Sequence, residues 1–416
     1  MKSIVKILLT TIFIMLWGGV YAQILEFNGF VDTYHAMRIS DEHDFLSSRS
    51  RLRGELKGEK GKSDFFSSMN ASYNYILPSE SGIELREAWF RYTTKNLDLK
   101  LGRQIISWGQ ADGIKITDLI SPVDMTEFLA RDYDDIRMPV DAMRLKYMNK
   151  NMSAELVFVP VFQSSILPVS QNNPWAFINN DNSEVFTEIT SPNEPEKSIK
   201  NSELGGKLSF NLSGLDFAFS GLYTWNKTPV FSSDFSPYFD TVYLTPEHHR
   251  LGMCGLEFSR PQGKFVIRGE GAFLIGKRFS PVVENYYLGL IEKNSLNMLI
   301  GIDWYAGKEW MVSVQFSDEI ILDHEETVAN NEHTILATLS VSKKLFRSKL
   351  AISSFVYTTY SPEAGKISLF DRTSLDYSLS DELHLMAGVD FFYGDEGMFA
   401  TYSNNSEVWI KAKYIF

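Results

Sequence analysis

The residues of this chain best placed to do chemistry form a row of charges at strict two-residue spacing. The row consists of Arg49, Arg51, Arg53, Glu55 and Lys57. Because successive side chains of a strand point to opposite faces, an extended segment places all five on one face. A guanidinium is permanently charged and offers several hydrogen-bond donors, so three arginines in a row suit a carboxylate or a phosphate. A solvated wall balanced by neighbouring acids is the alternative, and it stays open.

A second charged segment, residues 107–138, is mainly acidic. Its seven carboxylates outnumber its three bases, and they are Asp112, Asp118, Asp124, Glu127, Asp132, Asp134 and Asp135. Ser121 followed by Pro122 has the pattern of a helix start, which predicts a short helix over about 122–131. A long segment with its own apolar residues needs a surface to pack on. We expect it to fold into a lumen against the arginines and to form a polarised constriction; a loop lying over the rim is the alternative.

The elements that must position both segments are predicted to be strands of a membrane barrel. Residues 408–416 alternate an apolar face with one that carries two lysines, and they end on Phe416. Such a segment suits the closing strand of a transmembrane β-barrel. Residues 1–22 have a basic start, an apolar stretch and a small-residue cleavage site, which is typical of a secretory signal peptide. We therefore expect a signal peptide over 1–22 and one barrel domain over 23–416.

The connections between alternating segments predict the strand number. Short turns rich in Gly, Asn, Ser and Pro alternate with longer loops along the chain. Bacterial outer-membrane barrels place short turns at the periplasmic end and long loops at the outer end. Nine long loops and eight short turns predict about 18 antiparallel strands, with about 16 as the alternative. Residues 107–138 then belong to the third outer loop.

Composition argues against several other classes of protein. The formal net charge of −12 argues against nucleic-acid binding, which needs a basic surface. No apolar stretch of about 18 residues follows the signal peptide, so the sequence predicts no transmembrane helix. The seven histidines show no metal-ligand spacing, and the glycines form no phosphate-binding motif. We expect no cofactor, no metal site and no enzymatic activity.

One stretch resembles a known family. Leu101-Gly102-Arg103-Gln104 is followed by Trp108-Gly109, by Ser121-Pro122-x-Asp124 and by Arg144-Leu145-Lys146-Tyr147. Over about residues 97–148 this pattern is similar to outer-membrane barrels of the alginate-export type and to barrels associated with inner-membrane exporters of the RND class. The resemblance implies a channel or exporter of organic solutes. Since strict alternation would turn Arg103 outward, we expect a bulge at Gly102 to return it to the lumen.

Together these patterns predict an all-β transmembrane barrel in the outer membrane of a Gram-negative bacterium. We expect a porin-like channel that contacts outer-membrane lipid and passes small or organic solutes. An inner-membrane exporter and a homotrimer stay open as partners. The alternative is a non-conducting surface protein, an adhesin or an assembly partner, that binds through its loops at 163–200 and 227–246. The residues expected to line the constriction are Arg49, Arg51, Arg53, Lys57, Arg103, Asp112, Asp118, Asp124, Glu127, Asp132, Arg144 and Lys146.

Overall fold

The protein is described by a computed structural model that covers residues 24–40, 43–178, 186–236, 238, 240–282 and 289–416. The signal peptide expected over residues 1–22 lies outside them. In chain order the strands are β1 (Ile24–Arg38), β2 (Phe45–Lys60), β3 (Ser63–Asn74), β4 (Gly82–Thr93), β5 (Leu97–Gln104), β6 (Val140–Met148), β7 (Met152–Val159), β8 (Phe186–Ile189), β9 (Glu203–Leu212), β10 (Leu215–Trp225), β11 (Val230–Phe235), β12 (Thr241–Glu247), β13 (Arg250–Gln262), β14 (Phe265–Phe279), β15 (Ile291–Gly307), β16 (Trp310–Ile321), β17 (His333–Leu345), β18 (Leu350–Ser361), β19 (Lys366–Ser378), β20 (Leu383–Gly394) and β21 (Glu407–Ile415).

Eighteen of these strands pair edge to edge in one closed antiparallel ring. The other three, β8, β11 and β12, form a small separate sheet within two of the loops. The helical elements of the described residues are the one-turn helix α1 (Tyr133–Ile136) and 3-10 turns at Pro78–Glu80, Phe128–Ala130, Ile199–Asn201 and Ala400–Asn405. None of the helices in the described part of the chain is long and apolar enough to cross a membrane.

The C-terminal strand closes the ring. β21 pairs with β1 from Phe30 opposite Ile415 to Arg38 opposite Glu407. Beyond the strand, Phe416 exchanges two backbone hydrogen bonds with Gly29, of 2.9 and 3.0 Å. The prediction that the chain ends on the closing strand of a barrel is confirmed.

The connections are sorted by length between the two ends of the barrel. Eight turns of two to four residues lie at the end that also holds the C-terminus. Nine connections lie at the opposite end, and eight of these are longer, the exception being residues 362–365. Glycines in the left-handed region allow two of the tight turns, with φ of +62° at Gly61 and +76° at Gly214. The predicted count of 18 strands is therefore confirmed.

The outward rows of the strands are apolar and exposed. Phe27 on β1 is 63% exposed, Ile300 on β15 is 53% exposed and Ile410 on β21 is 60% exposed. Side chains of this kind form the lipid-facing band of a membrane barrel. Polar and charged side chains alternate with them and point inward, as Arg53, Glu257 and Asp390 do.

The core sits inside the barrel, between the wall and the connection from β5 to β6. We call this connection, residues 105–139, the inner loop. Its residues Ile106, Trp108, Ile116 and Ile120 are buried against wall residues of β6, β7, β10, β13, β14 and β15. A second apolar cluster joins the inner loop to other parts of the chain through Leu46, Phe128, Ala130, Trp175, Phe370, Phe392, Phe399 and Tyr402.

The prediction of a helix over residues 122–131 is wrong. Val123 pairs with Arg137 in an antiparallel bridge, so the backbone at the expected helix start is extended. The Asp124 carboxylate accepts a hydrogen bond of 2.9 Å from the backbone N–H of Thr126. Such a local side-chain bond offers the backbone an alternative to the helix. Only the short helical elements given above follow.

The prediction of a bulge at Gly102 is also wrong. β5 keeps a continuous register with β4 and with β6 through Gly102 and Arg103. Alternation therefore carries Arg103 onto the outward row of Leu101, beside the exposed Asp141. Gly102 has a φ of +120°, and a Cβ there would lie 2.4 Å from the carbonyl oxygen of Ala88. The glycine permits a close approach of two strands and inserts no extra residue.

Candidate functional site

The row of arginines lies on the inner wall of β2. Leu52, which alternates with them, is 45% exposed on the outer face, whereas Arg53 is buried. The register with β3 places Arg51 opposite Ser72 and Arg53 opposite Asn70, so polar side chains surround the row. This placement follows from the two-residue period, because one outward leucine forces its neighbours inward.

The first arginine of the row binds the inner loop through a buried acid. Arg49 forms an ion pair with Glu127, and Asn74 on β3 donates a hydrogen bond of 3.2 Å to the same carboxylate. Arg131 contacts Glu127 at 2.8 Å and Asp124 at 2.5 Å. Burial opposes ionisation of Glu127, but the attraction of Arg49 and Arg131 outweighs it and lowers its pKa. These ion pairs therefore favour the charged form of Glu127.

The other two arginines share one carboxylate of α1. Asp135 lies 2.9 Å from Nη2 of Arg51 and 3.0 Å from Nη2 of Arg53. Arg51 also contacts Asp32 on β1 at 2.6 Å, and Nε of Arg53 donates to Asn70 at 2.7 Å. Although burial opposes ionisation, the two arginines hold the pKa of Asp135 well below its usual value.

The opposite side of the inner loop is tied to the far wall of the barrel. Glu270 on β14 accepts hydrogen bonds from the backbone N–H groups of Gln110, Ala111 and Thr117. Arg268, two residues before it on the same strand, lies 2.5 Å from Asp112. Backbone donors converging on one carboxylate make a strong, directional anchor. The inner loop therefore reaches from the β2 wall to the β14 wall.

Several predicted residues pair elsewhere than expected. Asp124 and Asp132 do not contact the arginine row: Asp124 binds Arg131, and Asp132 lies 2.7 Å from Lys411 on β21. Asp118 is buried 2.8 Å from Arg137 within the inner loop, and its burial raises its pKa.

The predicted bases away from the arginine row have separate environments. Lys57 lies 2.5 Å from Glu59 near the short-turn end, away from the inner loop. Arg144 contacts Glu155 at 2.8 Å. Lys146 lines a cavity of about 230 Å³ beside β9 and β10. Arg103 belongs to the outward row, as described above.

Two larger cavities flank the inner loop inside the barrel. The first, of about 470 Å³, lies between the inner loop and β18 and β19, and the second, of about 390 Å³, lies between the inner loop and β2, β3 and β4. Both are lined by Arg131 and Arg137. Aromatic side chains, including Tyr357 and Phe370, line only the first. The site can thus hold a small organic molecule against charged and aromatic groups.

Sequence reasoning missed the wall residues on the far side of the inner loop. Arg268 and Glu270 form only one pair at two-residue spacing, and Arg372 directly follows Asp371, so no longer row of charges marks them. Arg372 pairs with Asp390 at 2.5 Å and donates a hydrogen bond of 3.4 Å to the carbonyl of Arg131. The two-residue alternation of their strands predicts that these side chains point into the barrel. Only the position of the strands in the ring brings them to the inner loop.

Comparison with known proteins gives one family and a fold. The family model described as "Protein of unknown function (DUF1302)" matches residues 77–344, more than half of the chain, and no curated protein matches. OccAB1 of Acinetobacter baumannii aligns with a TM-score of 0.57 at 10% identity over 95% of this chain and 97% of its own. OccK2 (OpdF) of Pseudomonas aeruginosa, solved in complex with glucuronate, aligns with a TM-score of 0.56 at 12% identity, covering 95% of this chain and 98% of its own.

A further structure of Pseudomonas aeruginosa, OccK3 (OpdO), aligns with a TM-score of 0.56 at 9% identity, covering 97% of this chain and 99% of its own. At these identities the likeness shows the fold. The chain therefore has the fold of these barrels, and that fold fits a location in the outer membrane.

Proposed function

The chain belongs to the DUF1302 family, and from its fold and inner surface we propose that it is an outer-membrane channel for small or organic solutes. The observation that carries the proposal is the pair of cavities on either side of the inner loop, of about 470 and 390 Å³. Cavities of this size match those that hold small ligands. Both lie against the inner face of the barrel wall, where a solute on its way through the barrel would pass.

The arginine row and the acids of the inner loop are proposed to form the constriction. The side chains of Arg49 and Arg51 keep 13% and 12% of their surface exposed, and both line the second cavity. Their ion pairs with Glu127 and Asp135 hold the inner loop across the lumen and leave opposite charges close together. Such a lining selects solutes by size and by the arrangement of their charges.

Two finer proposals follow from the resemblance to barrels of the alginate-export type. The channel would pass organic solutes, and it would work beside an inner-membrane exporter of the RND class. Co-purification of such an exporter with the full chain would support the partnership. A homotrimer is the alternative assembly, and light scattering of the detergent-solubilised barrel distinguishes a mass of three chains from one.

The decisive experiment is the single-channel current of the mature chain in a planar bilayer. We expect discrete steps of KCl conductance, because polar cavities lie on both sides of the inner loop. A folded barrel that never conducts would contradict the proposal and favour the non-conducting surface protein. Binding would then fall to the loops that carry β8, β11 and β12.

A further inference from the structure

Strand β4 has a free backbone edge in the upper part of the barrel wall. It pairs with β5 only from Ala88 to Thr93. Of its upper residues, Gly82–Leu85 and Glu87 pair with β3 alone, and Arg86 is the extra residue of a bulge. Within the described part of the chain, their backbone makes no hydrogen bond to any segment on the other side. The ring is closed at its base but lacks one ladder above Ala88.

The height of this edge runs from the outer half of the membrane to just above its apolar band. Glu87 and Gly82 lie six and eleven residues above Thr93. A rise of about 3.3 Å per residue at a tilt of about 40° puts them roughly 15 and 28 Å above the short-turn end. An apolar band is about 25 Å tall. Because lipid cannot satisfy unpaired backbone groups, the edge must border a polar, hydrated space.

The outer surface of the neighbouring strands is polar at the same height. Arg103 on β5 and Asp141 on β6 are paired positions on the outward row, only six residues above Leu97. At the comparable level of β15, the outward residues Ile300 and Ile302 are apolar and exposed. Charge is costly where a barrel faces hydrocarbon. The apolar outer surface of β5 and β6 therefore ends at a lower height than that of β15. This leaves a polar gap beside the edge of β4.

The second cavity extends from the inner face of the wall to the edge of β4. Its lining includes Arg51 and Ser72 from the inner face of the wall and Ile83 from the edge of β4. Ile83 is 76% exposed on the outward row, paired with Ala71. The lining of the second cavity therefore reaches from the inner face of the wall to the free edge of β4.

The far side of the passage is built by two loops. Met138 of the inner loop and Ile166 of the following loop line the cavity opposite β4. Two backbone hydrogen bonds hold Ile166 in place. Its N–H donates to the carbonyl oxygen of Val123 at 2.9 Å, and its carbonyl oxygen accepts from the N–H of Met125 at 2.8 Å. Two apolar side chains therefore flank the passage at its rim, Ile83 on one side and the hydrogen-bonded segment at Ile166 on the other.

A charged group stands just inside this rim. Arg86 on β4 is buried and donates a hydrogen bond of 2.6 Å to the carbonyl oxygen of Asp134. No carboxylate of the described residues lies within ion-pair distance of it. Serine side chains, Ser72 and Ser81 among them, line the same cavity. An apolar rim thus leads to a polar interior over a short distance.

We propose that this passage is a lateral portal through which amphipathic organic solutes move between the lumen and the outer leaflet. The polar head of such a solute would lie against Arg86 and Ser72, while its apolar body would leave past Ile83 and Ile166. The inference rests on the proposed channel function and specifies its solute class: molecules with both a polar head and an apolar body.

The test places a removable block at the rim. Cys254 is the single cysteine of the chain, so Cys254→Ser provides a background without thiols. In that background, Ile83→Cys is labelled with a bulky, membrane-impermeant maleimide, and Ile300→Cys on β15 is the matched outward control. Two quantities are measured for each: uptake of dansyl-undecanoate by cells that express the full chain, and KCl conductance of the purified barrel.

We expect Ile83→Cys to react from water and Ile300→Cys to be protected by lipid. Labelling at position 83 should lower dansyl-undecanoate uptake several-fold and leave KCl conductance within about twofold. Uptake that is unchanged by the label, or no greater than in cells without the protein, would overturn the portal. A parallel fall of uptake and conductance would also overturn it, because both solutes would then share one axial path.

The two proposals fail in different ways. Absence of KCl current from the unlabelled barrel would overturn the channel function. Label-sensitive uptake of dansyl-undecanoate would still support a lateral portal in that case.

Discussion

Nη2 of Arg53 on β2 lies 3.0 Å from Oδ1 of Asp135 in the inner loop. The other oxygen of the same carboxylate lies 2.9 Å from Arg51, so one acid of a one-turn helix ties two neighbouring rungs of the arginine row. Arg49 is bound in the same way by Glu127. The row is therefore an anchor for the inner loop as well as a lining, because every one of its arginines binds an acid of that loop.

The triple variant Arg49→Ser, Arg51→Ser, Arg53→Ser should shift ion selectivity toward cations. Loss of the three arginine side chains leaves the carboxylates of Asp32, Glu127 and Asp135 without these partners. We expect the permeability ratio of K⁺ to Cl⁻ to rise at least about twofold. The reversal potential in a KCl gradient measures this ratio. Lys57→Ser is the control, since Lys57 stands on the same strand but pairs with Glu59; an equal shift in both variants would contradict a special role of the row.

Excision of the inner loop should raise the conductance. Gln104 is paired with Val140, so replacing residues 106–138 with a short Gly-Ser linker leaves β5 and β6 connected as a hairpin. Because the excised segment crosses the lumen, we expect single-channel conductance to increase several-fold. Heat-modifiable migration on gels confirms that the barrel is folded. Unchanged conductance in a folded variant would mean that the loop is outside the permeation path.

Asp135→Asn should destabilise the protein by about 1–3 kcal/mol. The substitution leaves Arg51 and Arg53 facing a neutral group in a site where the Asp135 side chain is only 16% exposed. The midpoint of urea unfolding in detergent measures the loss. Asp134→Asn is the matched control, because Asp134 is exposed and forms no ion pair with the described residues. Equal midpoints for the two variants would refute the anchoring role of Asp135.

The hydrogen bond between His249, which directly precedes β13, and Arg278 on β14 should weaken in acid. Burial lowers the pKa of His249 to about 4, and its Nε2 accepts a hydrogen bond of 3.0 Å from the backbone N–H of Arg278. Because the folded pKa lies below the ordinary value of 6.5, an open state binds the proton more tightly. Stabilisation from this contact is complete above about pH 6.5 and declines as the pH falls toward 4.

Hydrogen exchange of the Arg278 amide between pH 7 and pH 4, corrected for intrinsic rates, measures this loosening. His249→Gln keeps an acceptor but cannot be protonated, so its protection should not depend on pH in this range. A pH dependence that survives in His249→Gln would assign the effect to another group.

The strands and their ring were predictable because their information is local. The two-residue period of the arginine row, the apolar face that ends on Phe416 and the turns around Gly61 and Gly214 each depend on a few neighbouring residues. A closed barrel requires every strand to present one face to lipid, so the pattern repeats along the whole chain. Strand number, end assignment and the inward direction of Arg49, Arg51 and Arg53 follow from that repetition.

The inner loop was less predictable because its partners are distant in sequence. The backbone N–H of Thr126 donates a hydrogen bond to the carboxylate of Asp124, and Arg137 pairs with Val123. The expected helix therefore does not form. Gly102 was expected to mark a bulge, but its neighbours on both sides hold it in register. Local patterns cannot weigh such competing contacts.

What the sequence by itself determined was therefore the alternating barrel wall, its terminal strand and the charge of its inner face. What only the tertiary structure decided was which charges meet: Asp135 rather than Asp124 binds the arginine row, and Glu270 binds the loop from the far wall. Alternation fixes the side to which a residue points. Closure of the ring sets which residues face one another across the lumen, because it brings together strands far apart in the chain.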